Sequence, residues 1–354
     1  MVAAVDIPPN IKGLTFDEVA SRIALLGGED AGVTLASRIY RGILQDGHRA
    51  IADIPGIAPD RRATAERLFS TGSLEMVSVN RSWDKSAKYA FRLADGNIVE
   101  SVLLHHHGLW TVCVSSQAGC PLACRFCATG LMGLKRNLEA WEIVDQVVAV
   151  GRDAGIRVSD IVFMGMGEPL LNEDAVYQAA TIMMATPGLQ ISRKRIVIST
   201  SGVVPAIHRF IEANHPWKLV FSLGAVVPEK RLKLMPIQER FGFDAFLDAV
   251  KRYERHRRGK HVTLEYVAIK NLTMGDDDIE AMRTHLTGFN LILNVIPLNP
   301  IGNDLVPPTM EEARDFTGRL RGLGFPVKVR YSGGKDQFAG CGQLGRTLLD
   351  AAGG

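Results

Sequence analysis

The chain has 354 residues, of which 46% are hydrophobic and 22% charged, with a formal net charge of +3. This composition excludes a disordered chain and predicts one large folded domain with a small one. No run of eighteen apolar residues occurs, residues 1–9 lack a signal-peptide pattern, and five cysteines do not form a secreted disulfide framework. We therefore expect a soluble cytoplasmic protein with no membrane association. The weak positive charge permits binding to a phosphate backbone without predicting it.

The first 75 residues predict a small helical domain. Apolar residues recur at helical spacing over residues 16–25 and 31–43, and glycines and a proline separate these patterns. Residues 76–110 change to alternating apolar and polar residues, with Asp95-Gly96 typical of a tight turn. We interpret this second stretch as a β-hairpin linker that leads into the core domain.

Residues 111–347 predict the core domain, with residues 348–354 as a tail. Strand-like apolar runs alternate with helical patterns, which indicates parallel β/α units. Functional groups in such folds gather at the carboxyl ends of the strands. The periodicity does not distinguish a partial barrel from an open doubly wound sheet. The predicted strands after residue 130 cover residues 160–164, 195–199, 218–223, 262–269, 290–296 and 327–330.

Three cysteines, Cys120, Cys124 and Cys127, follow the spacing C-x3-C-x2-C. Thiolates are the usual ligands of iron-sulfur clusters, and three ligands on a four-iron cluster leave one iron open for chemistry. Zinc is the main competing metal, with a histidine from residues 105–107 or Cys113 as the fourth ligand. Unliganded or disulfide-bonded cysteines are a third reading. We favour the cluster, because structural zinc sites prefer a second C-x2-C pair, which this chain lacks.

The cysteine spacing, with an aromatic residue before the last cysteine, resembles the radical S-adenosylmethionine superfamily. Further motifs resemble its RlmN/Cfr family of RNA adenine methyltransferases, and the resemblance extends from about residue 14 to residue 344. It implies an α/β fold, a partial (β/α)6 radical SAM barrel, in which the small N-terminal helical accessory domain helps to bind RNA. The motifs are VCVSSQAGC at 112–120, CATG at 127–130, FMGMGEPL at 163–170, STSGVVP at 199–205 and CGQL at 341–344.

The resemblance implies a metal site and a cofactor site. Cys120, Cys124 and Cys127 would bind one 4Fe-4S cluster whose open iron takes S-adenosylmethionine. Gly167 and Glu168 match the family element that binds the cofactor amino group. A carboxylate beside glycines at a strand end suits that role, although alone it is more often a solvated loop residue. The remaining cofactor contacts would come from Ser199, Ser222 and Asn299, which otherwise look like ordinary turn formers.

The same resemblance implies three catalytic residues. Cys341 would carry the methyl group, Cys113 would resolve the protein–RNA adduct, and Glu100 would accept a proton. From the residues alone, Cys113 is more often a small buried thiol and Glu100 an outward strand residue. Cys341 lies between glycines, where a thiol has little packing role. The C2 carbon of adenine is electron-poor and cannot attack a methyl electrophile, so covalent capture on cysteine divides the transfer into feasible steps.

We therefore predict a radical methyltransferase acting on an adenosine of 23S ribosomal RNA, at C2, with transfer RNA as a second candidate substrate. Methylation at C8, or of another RNA, remains open within the family. A non-catalytic, zinc-stabilised RNA-binding protein is the alternative of another class. The target adenine must be unstacked, which favours a loop. The family also implies an electron donor such as flavodoxin or ferredoxin, and we expect a monomer.

The sequence departs from the family pattern at three places. Ser222-Leu-Gly224 replaces the usual Ser-Leu-His, residues 270–274 replace the usual Gly-Val-Asn-Asp segment, and Gly340 replaces alanine before Cys341. None of these changes removes a reacting group, so we expect the mechanism to survive. They bear on cofactor geometry and substrate identity. The histidines at 105–107 have no role in this interpretation.

Overall fold

One ten-stranded sheet forms the centre of the protein, in a computed structural model that describes residues 8–25 and 29–352. Its strand order is β1-β2-β3-β4-β7-β8-β9-β10-β11-β12, and β5 pairs with β6 in a separate two-stranded sheet. The strands are β1 Glu75–Arg81, β2 Ala87–Arg92, β3 Ile98–His106, β4 Leu109–Cys113, β5 Gln117–Gly119, β6 Leu134–Asn137, β7 Asp160–Phe163, β8 Ile196–Thr200, β9 Lys218–Gly224, β10 Val262–Ala268, β11 Leu291–Pro297 and β12 Val327–Val329.

The sheet has an antiparallel part and a parallel part. Strands β1 to β4 pair antiparallel, and β4 then pairs parallel with β7. All later neighbours are parallel. The predicted partial β/α barrel is thereby confirmed, with β4 as a further parallel strand ahead of the cysteine motif. The Asp95-Gly96 turn joins β2 to β3, as predicted, and β1 extends this hairpin by one strand.

Thirteen helices are present in the described residues: α1 Phe16–Ala24, α2 Glu29–Leu44, α3 Pro59–Leu68, α4 Ala128–Leu131, α5 Ala140–Ala154, α6 Glu173–Met184, α7 Val204–Glu212, α8 Pro228–Leu234, α9 Ile237–Phe241, α10 Phe243–His256, α11 Asp276–Leu286, α12 Met310–Leu320 and α13 Arg346–Ala352. Capping boxes at Thr15 and Thr309 satisfy the first backbone amides of α1 and α12. Gly155 ends α5 in the left-handed conformation at φ 64°.

Helix α10 illustrates how the helices cover the sheet. Its buried residues Phe243, Phe246, Leu247, Val250 and Tyr253 recur at helical spacing and join the hydrophobic core. The Tyr253 hydroxyl also accepts a hydrogen bond from Leu219 N of β9 at 2.8 Å. The helix therefore packs its apolar side on the sheet and leaves its charged side exposed.

The N-terminal segment is joined to the core through a buried ion pair. Lys12 Nζ lies 2.7 Å from Asp145 Oδ1 of α5, with side-chain exposures of 2% and 0%. Lys12 also donates to Ser73 Oγ, and Asp145 Oδ2 accepts from Leu74 N at 2.6 Å. The pair thus fixes both ends of the predicted helical domain to one core helix.

The ends of the ten-stranded sheet are linked by the turn between β1 and β2. Ser82 Oγ donates to Asp336 Oδ1 at 2.6 Å, and Gly334 N donates to Asp84 Oδ2 at 2.8 Å. Both hydrogen bonds connect this turn to the segment after β12.

No helix in the described residues is long and apolar enough to cross a membrane. Helix α13 occupies most of the segment predicted as a tail, and the domain boundaries stay predictions.

Candidate active site

The predicted cluster and cofactor residues line one cavity at the carboxyl ends of the parallel strands. Ser199 and Ser222 lie one and two residues before the ends of β8 and β9. Glu168 follows β7, and Asn299 follows β11. We call this space the first cavity. Its walls include every residue predicted to bind metal or cofactor: Cys120, Cys124, Cys127, Gly167, Glu168, Ser199, Ser222 and Asn299.

The three cysteines lie on the loop between β5 and α4. Burial raises the pKa of Cys120 to about 12 and also raises the pKa values of Cys124 and Cys127. A bound metal would supply the positive charge that keeps such thiols deprotonated. In residues 8–25 and 29–352, no three His, Cys, Asp or Glu side chains gather closely enough to hold one ion. A four-iron cluster, in which each cysteine binds a different iron, fits this arrangement.

Glycines let the backbone approach the first cavity closely. A Cβ atom on Gly130 would lie 2.9 Å from Cys124 N, inside the cysteine loop. A Cβ atom on Gly167, whose φ is +102°, would lie 2.6 Å from Gln117 Cβ. Neither position accepts a side chain without displacement. The donor set and this cradle fit the cluster and the cofactor that the sequence predicts.

Glu168 is a buried carboxylate in the first cavity. Its oxygens accept from Leu170 N at 3.1 Å and Ser201 N at 2.8 Å. Burial raises the pKa of Glu168, and these hydrogen bonds oppose that shift. Among the described residues, no lysine, arginine or histidine forms a salt bridge with it. An ammonium group in the cavity would compensate this buried charge.

Cys113 and Cys341 line a second cavity, and Cys341 also lines the first. Cys113 is buried at the end of β4, whereas Cys341 is exposed on the loop before α13. Desolvation raises the pKa of both thiols, that of Cys113 to about 12, and the positive charge of Arg330 opposes both shifts. The structure therefore brings together the two thiols that the sequence paired.

Arg330 was not found by the sequence analysis. Its Nη1 lies 2.7 Å from Oε1 of Glu265, which is in β10 and lines the first cavity. Arg330 itself lines the second cavity beside the two thiols. The Arg330 side chain is half-buried, at 33% exposure, and holds a positive charge near both sulfur atoms. Arg330 directly follows β12, so the rule that functional groups gather at the carboxyl ends of strands could have identified it, whereas Glu265 lies in the middle of β10.

Asn299 fixes the loop that carries Cys341. Its Nδ2 donates to the Cys341 carbonyl at 3.0 Å and to Ser332 Oγ at 2.8 Å. A Cβ atom on Gly340 would lie 2.8 Å from Asn299 Nδ2 and from Gln343 Oε1. The glycine that replaces the usual alanine thus gives Asn299 the room to reach this loop.

Glu100 lies apart from the linings of both cavities. Its carboxylate forms a buried salt bridge with Lys88 at 3.1 Å and accepts from Gly345 N at 2.7 Å and from Thr347 Oγ1 at 3.1 Å. In this arrangement it anchors the start of α13. Its role as proton acceptor stays a prediction.

The other departures from the family pattern have separate surroundings. Gly224 has a φ of +69°, and a Cβ atom there would lie 2.3 Å from Met235 Sδ. The Met235 thioether thus occupies the space where the usual histidine side chain would begin. Residues 270–272 and 274 line a surface cavity beside α11 and α12 instead of the first cavity. His105 packs on Trp110, with ring centroids 4.4 Å apart, near the β3–β4 turn.

Comparisons with known proteins agree with this geometry. The radical SAM superfamily profile matches residues 114–284. The chain is 42% identical to a probable RNA methyltransferase of Anaeromyxobacter sp. (strain Fw109-5), over 89% of this chain and 94% of that protein. It is 38% identical to the dual-specificity RNA methyltransferase RlmN of Geobacter sulfurreducens, over 97% and 93% of the two chains. A crystal structure of a radical SAM methyltransferase from Sphaerobacter thermophilus superimposes with a TM-score of 0.89 at 35% identity, covering 96% and 100%.

Proposed function

Because this chain belongs to the RlmN family of radical SAM RNA methyltransferases, we propose that it methylates C2 of an adenosine in 23S ribosomal RNA. The observation that carries the proposal is the position of Cys341 in the walls of both cavities, with Cys113 beside it in the second. One thiol can thereby face the cofactor and the substrate in turn. Transfer RNA is the second substrate to test, since several relatives are named dual-specificity enzymes.

Cys120, Cys124 and Cys127 would hold the 4Fe-4S cluster, and Gly167, Glu168, Ser199, Ser222 and Asn299 would bind S-adenosylmethionine. When bound, the two groups supply a radical that removes a hydrogen atom from a methylated cysteine. The buried Glu168 carboxylate would take the amino group of the cofactor, because an ammonium ion compensates its charge. The electron for this chemistry would come from a donor such as flavodoxin or ferredoxin.

Cys341 would accept the methyl group first. Its thiolate would attack the methyl carbon of S-adenosylmethionine, so that this carbon forms a bond to the Cys341 sulfur, its bond to the sulfonium sulfur breaks and S-adenosylhomocysteine leaves. Asn299 and Gly340 hold the loop in place for this step. Arg330 stabilises the thiolate, because its positive charge lowers the pKa that desolvation raises.

Cys113 would release the product. After the methylene carbon is joined to the base, the radical adduct would lose one electron to the cluster, which has given up one electron to form the radical, and the ring proton would be removed. The Cys113 thiolate then attacks the Cys341 sulfur, so that a disulfide forms while the carbon–sulfur bond breaks. Glu100 is the proposed proton acceptor. Because its carboxylate is bound by Lys88 and by α13, this role requires those contacts to loosen during the reaction.

The proposal is tested by anaerobic purification and an assay of RNA from a strain that lacks the enzyme. About four irons per chain are expected in the wild type, and fewer in Cys124→Ala. Mass spectrometry should find methyl-Cys341 and, in digested 23S RNA, 2-methyladenosine. Cys113→Ala should retain methyl-Cys341 and accumulate a protein–RNA adduct, whereas Cys341→Ala should form neither.

The outcomes separate the competing functions. Methylation at C8, or of transfer RNA alone, would replace the proposed carbon or substrate and keep the chemistry. Colourless protein with stoichiometric zinc after cluster reconstitution would refute the catalytic proposal. The expected monomer is checked by light scattering of the same preparation.

A further inference from the structure

Three exposed aromatic side chains lie on two segments next to the second cavity. In the described residues, the large hydrophobic side chains that remain exposed include only three aromatic ones, Trp83 at 88%, Phe338 at 44% and Tyr331 at 42% exposure. Single exposed hydrophobic residues are common on protein surfaces. These three instead belong to two segments that contact each other, the β1–β2 turn and the loop that leads to Cys341.

Trp83 lies at the tip of the β1–β2 turn, and its two neighbours hold that turn against the Cys341 loop. Ser82 donates to Asp336, and Asp84 accepts from Gly334 N. Asp84 also accepts hydrogen bonds from the amide and hydroxyl of Ser86 inside the turn. The indole is therefore presented by an anchored turn while its own surface stays in solvent.

Phe338 precedes Cys341 by three residues on the opposing segment. Its φ of +50° lies in the left-handed region, which bulky residues rarely adopt. The next residue, Ala339, lines the second cavity and donates its amide to the Gly334 carbonyl at 3.1 Å. A Cβ atom on Gly334 would lie 2.8 Å from Ala339 Cβ, so the loop is folded tightly here. Tyr331 lines the same cavity.

We propose that Trp83 and Phe338 form a stacking platform for unpaired nucleobases of the RNA next to the target adenosine, an inference that rests on the proposed function. An adenine that enters the second cavity must leave its stack, and its neighbours lose a partner as well. Aromatic faces replace that stacking for any base. Asp84 and Asp336 disfavour phosphates at this place, so the platform recognises base faces and leaves the backbone to other residues.

The test compares single-stranded with paired RNA. The probes are a stem–loop with 2-aminopurine beside a loop adenosine, and the fully paired duplex of the same sequence. Wild type, Trp83→Ala, Trp83→Phe and Leu232→Ala are titrated by fluorescence anisotropy and by 2-aminopurine quenching. Leu232 is a matched control, because it is 38% exposed on α8 and lines neither cavity. Melting temperatures verify that each variant is folded.

Trp83→Ala should bind the stem–loop about tenfold more weakly, corresponding to about 1.4 kcal/mol, and should lose quenching. Its duplex affinity should not change, while Trp83→Phe and Leu232→Ala should resemble the wild type. Equal stem–loop binding by Trp83→Ala and wild type would overturn the platform. If that variant also accepted electrons more slowly, the β1–β2 turn would instead be a contact surface for the electron donor protein. An equal loss of affinity for the stem–loop and for the duplex would also overturn the platform. Wild-type protein that neither binds nor methylates RNA would overturn the proposed function and, with it, this inference.

Discussion

Asp145→Asn should destabilise the protein strongly, because Asp145 accepts hydrogen bonds from two donors that have no other carboxylate partner. Lys12 Nζ lies 2.7 Å from Oδ1, and Leu74 N lies 2.6 Å from Oδ2. An asparagine has one acceptor oxygen and one donor NH2 group. Either orientation therefore places a donor against a donor, and Lys12 keeps a buried charge without its counter-ion.

Breaking a buried ion pair by removing one partner costs about 3–5 kcal/mol. A loss of this size should lower the midpoint of thermal unfolding by about 5 °C for a chain of this length. Differential scanning calorimetry of the purified protein measures this shift. Glu75→Gln is the control, because its pair with Arg92 is largely exposed, at 66% and 45%, and such pairs contribute about 0–1 kcal/mol.

The double variant Lys12→Met/Asp145→Leu separates the pair's net contribution from the cost of an unpaired charge. Well-packed apolar residues often replace a buried ion pair at little cost, so the double variant should recover the part of the lost stability that comes from the unpaired Lys12 charge. The part that comes from Leu74 N stays lost, because leucine offers this amide no acceptor. The reasoning is refuted if Asp145→Asn melts like the wild type. It is also refuted if the double variant is less stable than Asp145→Asn.

Three further predictions concern the cavities. Burial raises the Glu168 pKa above 4.5, so the cofactor-free wild type should lose stability as pH rises from 4.5 to that raised pKa, and Glu168→Gln should lack this pH dependence in melting experiments. The variant should gain no absolute stability, because its amide group places a donor against Leu170 N or Ser201 N. Cofactor binding by the same variant should weaken, as equilibrium dialysis would show. Gly340→Ala should lower the free energy of unfolding by about 1–3 kcal/mol and slow the formation of methyl-Cys341, because its Cβ would lie 2.8 Å from Asn299 Nδ2. Mass spectrometry measures the rate of methyl-Cys341 formation, and an unchanged rate would contradict the loop's dependence on that contact. Arg330→Met should shift the pH midpoint of Cys341 alkylation upward, because the positive charge that lowers the Cys341 pKa is removed, and Arg330→Lys should shift it less. An unshifted midpoint would exclude the electrostatic role.

Local patterns predicted much of the fold. The apolar spacing of residues 243–256 and 310–320 predicts helices there, and α10 and α12 begin and end at these residues. The signals are local, because the apolar spacing and, for α12, the Thr309 capping box are contained in short segments. The parallel strands were identifiable for a similar reason, since buried strands are continuous apolar runs. The cysteine spacing and the family resemblance together named residues that line the first cavity, and the roles of these residues stay predictions.

Contacts between distant segments could not be predicted in this way. Arg330 pairs with Glu265 because β12 and β10 flank β11, a neighbour relation that no local pattern contains. Glu100 illustrates the same limit. Its strand position was evident, but its pairing with Lys88 and with the start of α13 depends on strand register and on chain 245 residues away.

The link between the two ends of the sheet has a consequence for motion. Hydrogen-bonded ladders run without interruption from β1 to β12, whereas the gap between those ends is spanned by contacts such as Ser82–Asp336 and Asp84–Gly334. A few side-chain contacts break at a much smaller free energy than a strand ladder does. Amide hydrogen exchange should therefore be faster in the β1–β2 turn and in the segment after β12 than in strands β7 to β11.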